Sequence, residues 1–229
     1  MRFGIVVFPG SNCDHDCYWG LKHDLAYEVN FLWHRQKDLV GSDCIILPGG
    51  FAHGDYLRAG AIARFSPIME EVVKHAHNGK PVIGICNGFQ VLTEIGLLPG
   101  ALLKNNTLSF IHKPVTLRIE HRDSLFTRSY KTNAVIELPI AHGQGRYYAS
   151  DEVIAELQSE NRILFRYSSP KGELSSAWNP NGSLLDIAGI CNAAGNIMGM
   201  MPHPERRMNQ QLGGVDGRAI FQGVAQAFA

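Results

Sequence analysis

The chain has 229 residues, of which 45% are hydrophobic and 18% are charged, so it can bury a sizeable core and lacks the composition of a disordered protein. Its 21 basic and 21 acidic residues cancel, which leaves no overall charge to attract nucleic acid or anionic lipid. We therefore expect neither nucleic acid nor a membrane among its partners.

The sequence also bears on the compartment of the protein. No apolar run approaches the roughly 18 residues that cross a bilayer, and the N-terminal apolar run stops at Pro9-Gly10, too early for a secretory signal. The cysteines form an odd and irregular set, unlike the frameworks of small secreted domains. They are Cys13, Cys17, Cys44, Cys86 and Cys191. We expect reduced thiols in a cytoplasmic protein.

In the first half of the chain, predicted strands alternate with predicted helices. Short apolar runs, several of them closed by Pro or Gly, predict strands at residues 1–8, 28–33, 44–47 and 81–85. A helix of about 20 residues is predicted after the first strand. A second helix is predicted to begin with Ser66 as N-cap and Pro67 as first residue, and to stop at Gly79. Such βαβ units favour a doubly wound parallel sheet.

From about residue 105 the pattern changes to alternating apolar and polar residues, which predicts antiparallel strands with one face in water. The predicted strands of this half are 115–120, parts of 132–139, 162–167, 187–191 and 196–201. Helices are predicted at 151–160 and 219–228. Since no repeat or linker divides the chain, we expect an α/β fold with one domain over residues 1–229.

A cysteine flanked by glycines lies where the predicted strand 81–85 meets a predicted helix, in the run Gly84-Ile85-Cys86-Asn87-Gly88. A nucleophile in such a turn has a strained backbone, and the glycines remove the Cβ atoms that would clash there. The turn also places the sulfur at a helix N-terminus, which favours the thiolate and offers N–H groups to an oxyanion. Cys86 is therefore the predicted nucleophile, with a buried structural cysteine as the alternative.

A thiolate nucleophile needs a base, and His203 is the first candidate. Pro202 and Pro204 are expected to hold the segment extended, so that His203 and Glu205 face the same way. A carboxylate on one ring nitrogen would fix the tautomer and leave the other nitrogen for the nucleophile. This predicts a Cys86–His203–Glu205 triad. His53 and His142 are the rival bases.

Two further patterns concern anions and metals. The turn Pro48-Gly49-Gly50 ends a strand of the same sheet, so N–H groups of Gly49 or Gly50 could complete an oxyanion hole with Asn87; an ordinary tight turn is the alternative. The cysteines and histidine at positions 13, 15 and 17 suggest zinc, but a structural zinc site wants four ligands and no second cluster exists. We expect no metal in this chain. No glycine-rich nucleotide loop occurs, so we also expect neither ATP nor a dinucleotide as its cofactor.

The cysteine turn, the Pro-Gly-Gly turn and the late His203-x-Glu205 resemble class I glutamine amidotransferases, in that chain order. Longer stretches resemble, more narrowly, the glutaminase subunits of phosphoribosylformylglycinamidine synthase. These stretches are residues 8–14, 54–60, 141–147, 179–183 and 200–206, so the resemblance covers nearly the whole chain. His53 and Gln144 stand where that family often has an aromatic residue and Glu.

The resemblance implies a flavodoxin-like mixed sheet flanked by helices, and hydrolysis of glutamine to glutamate through a thioester on Cys86. It implies that His203 acts as base and then as acid, that Glu205 orients it, and that Gly50 and Asn87 supply the oxyanion donors. The residues that it implies for holding glutamine are Gly50, Gln90, Ser109 and Phe110.

The resemblance also implies partners. The released ammonia would pass to an ATP-dependent synthetase subunit of the PurL type, in a complex with a small accessory subunit of the PurS type. ATP and Mg²⁺ would bind to the synthetase, which converts formylglycinamide ribonucleotide to formylglycinamidine ribonucleotide in purine biosynthesis. The arginines considered for docking are Arg58, Arg146, Arg206 and Arg207.

Two other functions stay open at this point. One is a glutaminase subunit that serves a different acceptor. The other is a catalytically silent interaction protein, since a fold alone does not determine activity.

Overall fold

The computed structural model describes residues 1–131 and 134–228. Its strands are β1 Arg2–Val7, β2 Glu28–Trp33, β3 Cys44–Leu47, β4 Val82–Ile85, β5 Ala101–Leu103, β6 Ile111–Ile119, β7 Val135–His142, β8 Arg146–Tyr148, β9 Ile163–Tyr167, β10 Ile187–Cys191 and β11 Ile197–Met200. Its α-helices are α1 Asp14–Trp19, α2 Ile68–His77, α3 Asn87–Glu94, α4 Asp151–Ser159 and α5 Arg218–Ala227. No helix within the described ranges is long and apolar enough to cross a membrane.

Nine strands form one mixed sheet in the order β2-β1-β3-β4-β11-β10-β9-β6-β7, and β5 pairs with β8 in a separate antiparallel pair. The pairs β1–β2, β1–β3, β3–β4 and β4–β11 are parallel. The pairs that continue from β11 through β10, β9 and β6 to β7 are antiparallel. The mixed α/β sheet predicted for the chain is confirmed, with its parallel half first.

The centre of the sheet is buried on both faces. Every residue of β3, β4 and β11 is buried, which explains why these strands are continuous apolar runs without alternation. Helix α3 packs against all three of them. This packing holds the start of α3 at the carboxyl ends of the central strands.

Most predicted elements agree with the structure. The observed bounds of β2, β3 and β10 are those predicted, β4 and β9 start one residue later than predicted, and β1 and β11 are shorter by one residue at each end. Strand β6 starts earlier than predicted, at Ile111, because its first residues pair with the end of β7. Of the predicted strand 132–139, Thr132 and Asn133 lie outside the described residues, Ala134 precedes the strand, and residues 135–139 belong to β7.

The prediction of a long helix after β1 is wrong. Residues 9–12 instead form a turn at the sheet edge, where Gly10 has a φ of +83° and Ser11 forms a bridge with Gly50. Helix α1 follows and runs on as one π-helical turn, Gly20–Asp24. Because the first residues after β1 lie at the edge of the sheet, helix α1 starts later and is shorter than predicted.

The predicted N-cap of α2 is also wrong. Helix α2 begins at Ile68 with Pro67 in the capping position, and no side chain caps it. The Ser66 hydroxyl lies instead 3.2 Å from His34 Nδ1 and 3.4 Å from His53 Nε2. A polar contact between distant segments has replaced the local cap.

Candidate active site

Four strand ends meet at one edge of the sheet. Because β1, β3, β4 and β11 are parallel neighbours, the segments that follow them emerge at the same edge. Those segments carry Cys13, Gly50, Cys86 and His203. Chain positions that are far apart in sequence therefore converge.

Cys86 sits in the strained turn that the sequence predicts. Its φ is +51° and its ψ is −105°, a conformation that a residue with a side chain rarely adopts. The turn fits because Gly88 has no side chain: a Cβ there would lie 1.9 Å from the carbonyl oxygen of Leu47. The Cys86 N–H donates to Met200 O at 2.7 Å, which ties the turn to β11. The thiol is thus presented by a turn that its neighbours hold rigidly.

His203 and Glu205 form a buried pair, since each is only 1% exposed. His203 Nδ1 donates to Glu205 Oε1 at 2.6 Å, which leaves Nε2 free of this bond. The predicted contact is present, but the predicted reason for it is wrong. Pro204–Arg206 form a 3-10 turn after an extended His203, so the chain turns at Glu205 instead of continuing straight.

The charges around His203 favour its protonated form. Burial alone lowers the pKa of the imidazole, but the Glu205 carboxylate and the sulfurs of Cys86 and Cys13 more than offset it and leave the pKa well above its usual value. The His203 ring contacts the Cys86 sulfur as well as the Glu205 carboxylate. The structure therefore brings the three residues of the predicted triad together.

Cys13 is a member of this cluster that the sequence did not assign to the active site. Its sulfur contacts the His203 ring and accepts a hydrogen bond of 3.2 Å from Arg206 Nη2. Arg206 Nε donates in turn to Asp16 Oδ2 at 3.1 Å. Burial raises the pKa of the Cys13 thiol. The sequence does contain one indication of this position, because Cys13 follows β1, and the carboxyl end of β1 lies at the same sheet edge as Cys86.

Cys13, His203 and Glu205 each offer a potential metal-ligand atom, and these atoms lie within 4.8 Å of one another. Arg206 donates a hydrogen bond to the Cys13 sulfur in this group, and the expectation that the chain binds no metal stays a prediction. The zinc grouping considered from the sequence does not assemble. His15 is largely exposed beside Asp14, whereas Cys17 is buried in the core.

The two rival bases are placed differently. His53 contacts Ser66 and does not line the cavity next to Cys86. His142 lines it, and its Nδ1 donates to Asn105 Oδ1 at 3.0 Å. Burial lowers the pKa of His142 to about 4, so this ring is neutral near pH 7. Within the described part of the chain it also has no carboxylate partner of the kind that His203 has.

A cavity of about 140 Å³ opens beside Cys86, and we name it the Cys86 cavity. Its lining residues are Gly50, Phe51, Asp55, Cys86, Gln90, Phe110, Ala141, His142, Gly143 and Gln144. The rings of Phe51 and Phe110 stack at its mouth with centroids 6.5 Å apart. A neighbouring cavity of about 270 Å³ shares four of these residues and reaches Cys13 and His203.

The residues predicted to hold glutamine divide into two groups. Gly50, Gln90 and Phe110 line the Cys86 cavity. Gln90 Nε2 donates to Gln144 O at 2.6 Å, which orients its side chain. Ser109 is exposed and does not line that cavity, and its N–H donates to Thr107 Oγ1 at 3.4 Å.

The predicted oxyanion donors flank the nucleophile. Asn87 is the first residue of α3, so its N–H has no partner within the helix. Gly50 lines the same cavity as Cys86. Its φ of +131° gives its peptide group an orientation that residues with a side chain rarely adopt. Their roles stay predictions.

Three of the arginines considered for docking have acidic partners within the chain. Arg58 forms two hydrogen bonds of 2.6 Å with Glu94, and Arg207 pairs with Glu137. Arg206 binds Asp16 and Cys13, as described above. Only Arg146, on β8, has no acidic partner among the described residues. These pairs weaken the case for arginine-led docking.

Comparisons with known proteins agree with this site. A family model described as a CobB/CobQ-like glutamine amidotransferase domain matches residues 1–214. The phosphoribosylformylglycinamidine synthase subunit PurQ of Koribacter versatilis is 54% identical over 229 residues, 100% of this chain and 99% of that protein. The corresponding PurQ subunit of Synechocystis is 55% identical over 96% of this chain and 98% of its own length.

A solved structure of PurLQS from Thermotoga maritima contains a chain with a TM-score of 0.88 and 42% identity to this one. The alignment covers 100% of this chain and 99% of that chain, so the likeness is not confined to the triad. The protein therefore belongs to the PurQ family of glutamine amidotransferases.

Proposed function

We propose that this chain is the glutaminase subunit of phosphoribosylformylglycinamidine synthase. The observation that carries this proposal is Cys86 in a strained turn beside an imidazole that Glu205 holds through a 2.6 Å hydrogen bond. The PurQ relatives, which match over nearly their whole length, support the choice of this reaction over that of another amidotransferase.

In the first half of the reaction, the Cys86 thiolate attacks the carboxamide carbon of glutamine. The oxygen of the tetrahedral intermediate accepts hydrogen bonds from the N–H groups of Gly50 and Asn87. His203 gives its proton to the leaving nitrogen, so that ammonia departs and a glutamyl thioester remains on Cys86. The raised pKa of His203 suits this step, because the ring must be protonated when the amine leaves.

In the second half, His203 acts as a base. The neutral ring takes a proton from water, which attacks the thioester carbon, and the collapse of the second intermediate returns the thiolate and releases glutamate. Glu205 keeps Nδ1 protonated throughout, so that Nε2 is the nitrogen that exchanges protons. Water reaches the ring through the cavity that Cys13 and His203 line.

Ammonia is useful only if it stays unprotonated until it meets its acceptor, and in water near neutral pH it is mostly ammonium. We therefore place the acceptor chemistry on a PurL-type synthetase subunit, in a complex that also holds a small PurS-type subunit. ATP and Mg²⁺ belong to that synthetase and not to this chain. The PurLQS structure, with its chain of 42% identity, supports this assembly.

The compartment is part of the same proposal. All five cysteines are free thiols. Reduced thiols are typical of the cytoplasm, and so is purine biosynthesis. We place the protein there.

The experiment compares two nitrogen sources. The complex assembled with Cys86→Ser or Cys86→Ala should lose glutamine-dependent synthesis of formylglycinamidine ribonucleotide but keep synthesis from added ammonium salts, because the acceptor site lies on another chain. Loss of both activities would contradict this division of labour. Glutamate release without any product from formylglycinamide ribonucleotide would instead indicate a different acceptor.

A further inference from the structure

The Cys86 cavity contains a carboxylate that the proposed reaction does not use. Asp55 lines the cavity together with Cys86 and Gln90, in a segment whose neighbours Tyr56 and Leu57 are exposed to solvent. Its side chain is half-buried. A carboxylate in a small cavity without a cationic partner is costly, so its presence calls for a function.

The described residues that line the cavity supply no positive charge to balance Asp55. Among the described residues that line it, Asp55 is the only one with a carboxylate, and none of them is Lys or Arg. His142, the remaining titratable neighbour besides Cys86, is neutral near pH 7 because burial lowers its pKa to about 4. Burial also raises the pKa of Asp55 to about 6, against a hydrogen bond from Asn87 that lowers it. The cavity therefore offers an anion with no counterion.

Asp55 is tied to the nucleophile through one side chain. Asn87, the residue after Cys86, donates from Nδ2 to Asp55 Oδ1 at 3.0 Å and to Gln90 Oε1 at 2.8 Å. Its Oδ1 accepts the N–H of Ala52 at 3.0 Å, so the amide is anchored at both ends. The position of the Asp55 carboxylate relative to Cys86 is therefore fixed, and among the described residues only its Oδ1 has a hydrogen-bond partner, which leaves the second oxygen for a ligand.

The backbone around Asp55 adopts a strained conformation. Asp55 has a φ of +50°, and His53, Gly54 and Leu57 also have positive φ values between +54° and +70°. Residues other than glycine adopt this region at a cost, and such strain persists where the surroundings hold the chain.

A glutamine whose carboxamide lies at Cys86 must place its α-ammonium and α-carboxylate in the rest of the cavity. We propose that Asp55 binds the α-ammonium group of the substrate and thereby selects α-amino acids over amides that lack this group. This assignment rests on the proposed glutaminase function. The ammonium group supplies the cation that the cavity lacks, and the bond lies away from the reacting carbon.

The test measures ammonia release by the assembled complex from two substrates, glutamine and 4-carbamoylbutanoate, which is glutamine without its amino group. In Asp55→Asn, kcat/KM for glutamine should fall by about 10- to 100-fold, mostly through KM, because an interaction remote from the reacting carbon contributes to binding. The slow turnover of 4-carbamoylbutanoate should change by less than about threefold, since it never made the contact.

Two further variants serve as controls. Asp55→Glu keeps the charge and should retain a preference for glutamine, while Asp123→Asn removes an exposed carboxylate outside the cavity and should change nothing. Equal losses for both substrates in Asp55→Asn, or an unchanged KM for glutamine, would overturn the assignment. A wild-type complex that releases no ammonia from glutamine would instead overturn the proposed function itself.

Discussion

Replacing Glu205 with glutamine tests the electrostatic basis of the triad, because it removes a charge and preserves the shape of the side chain. Glu205 and His203 are joined by a 2.6 Å hydrogen bond, and both are buried. With charge centres about 4 Å apart and an effective dielectric constant of about 20, the attraction between carboxylate and imidazolium is about 4 kcal/mol. Since about 1.36 kcal/mol corresponds to a factor of ten in rate, this limits the loss of kcat to roughly 10³-fold.

We expect kcat of the Glu205→Gln variant to fall by roughly 10²- to 10³-fold. The loss does not exceed this limit because the amide oxygen of the new side chain can still accept a hydrogen bond from His203 Nδ1–H. The sign of the pH effect follows from the raised pKa of His203. The protonated ring is present below that pKa and is lost as the pH rises through it. Without the carboxylate the pKa falls, so the alkaline limb of the kcat profile should move to lower pH.

The assay is glutamate release by the assembled complex across a pH series, with ammonium-dependent synthesis as a check that the complex forms. Glu152→Gln, an exposed substitution on α4, is the matched control. A Glu205→Gln variant as inactive as Cys86→Ser, or one whose alkaline limb does not move, would refute the orienting role described above.

Two other substitutions test the packing and the reactivity of the site. Gly88→Ala places a Cβ 1.9 Å from Leu47 O, so β3 and α3 must separate. We expect the free energy of unfolding to fall by about 1–3 kcal/mol or more, as measured by thermal unfolding. An unchanged Tm would contradict this contact. Cys13→Ala removes one of several contacts that raise the pKa of His203, so glutaminase activity should fall by less than about tenfold. Iodoacetamide should label Cys86 rapidly and Cys13 slowly, as read by mass spectrometry; rapid labelling of both would count against the protonated thiol assigned to Cys13.

Local signals were enough for the central strands. Strands β3 and β4 are short apolar runs next to Pro or Gly, so the apolar composition and these flanking residues predicted the strand bounds to within one residue. The start of β6 was missed because pairing with β7, and not its own pattern, extends it to Ile111. Ser66 shows the same effect, since its hydroxyl serves two distant histidines instead of the helix that follows it.

The site was predictable where a motif carried its own geometry. Cys86 between two glycines, at the junction of a predicted strand and a predicted helix, predicts a strained turn from the local sequence. Cys13 and Asp55 carry no such motif, because each acquires its surroundings only when strands β1 and β3 come to lie beside β4 and β11. The contact of His203 with Glu205 was expected, but from an extended chain that the 3-10 turn replaces. The residue types alone indicated that His203 and Glu205 form a pair, but the backbone conformation that joins them became known only from the structure.

Asn87 joins the two halves of the site. Its N–H, at the start of α3, is the donor that we propose for the oxyanion, while its side chain donates hydrogen bonds to both Asp55 and Gln90. Any shift of Cys86 that moves the start of α3 should therefore also move Asp55 and Gln90, the groups that we propose to bind the far end of the substrate. Cys86 and these groups keep their spacing because the Asn87 side chain, next to Cys86 in the chain, is hydrogen-bonded to both Asp55 and Gln90. A flexible loop in the same place would have to restore that spacing at every turnover.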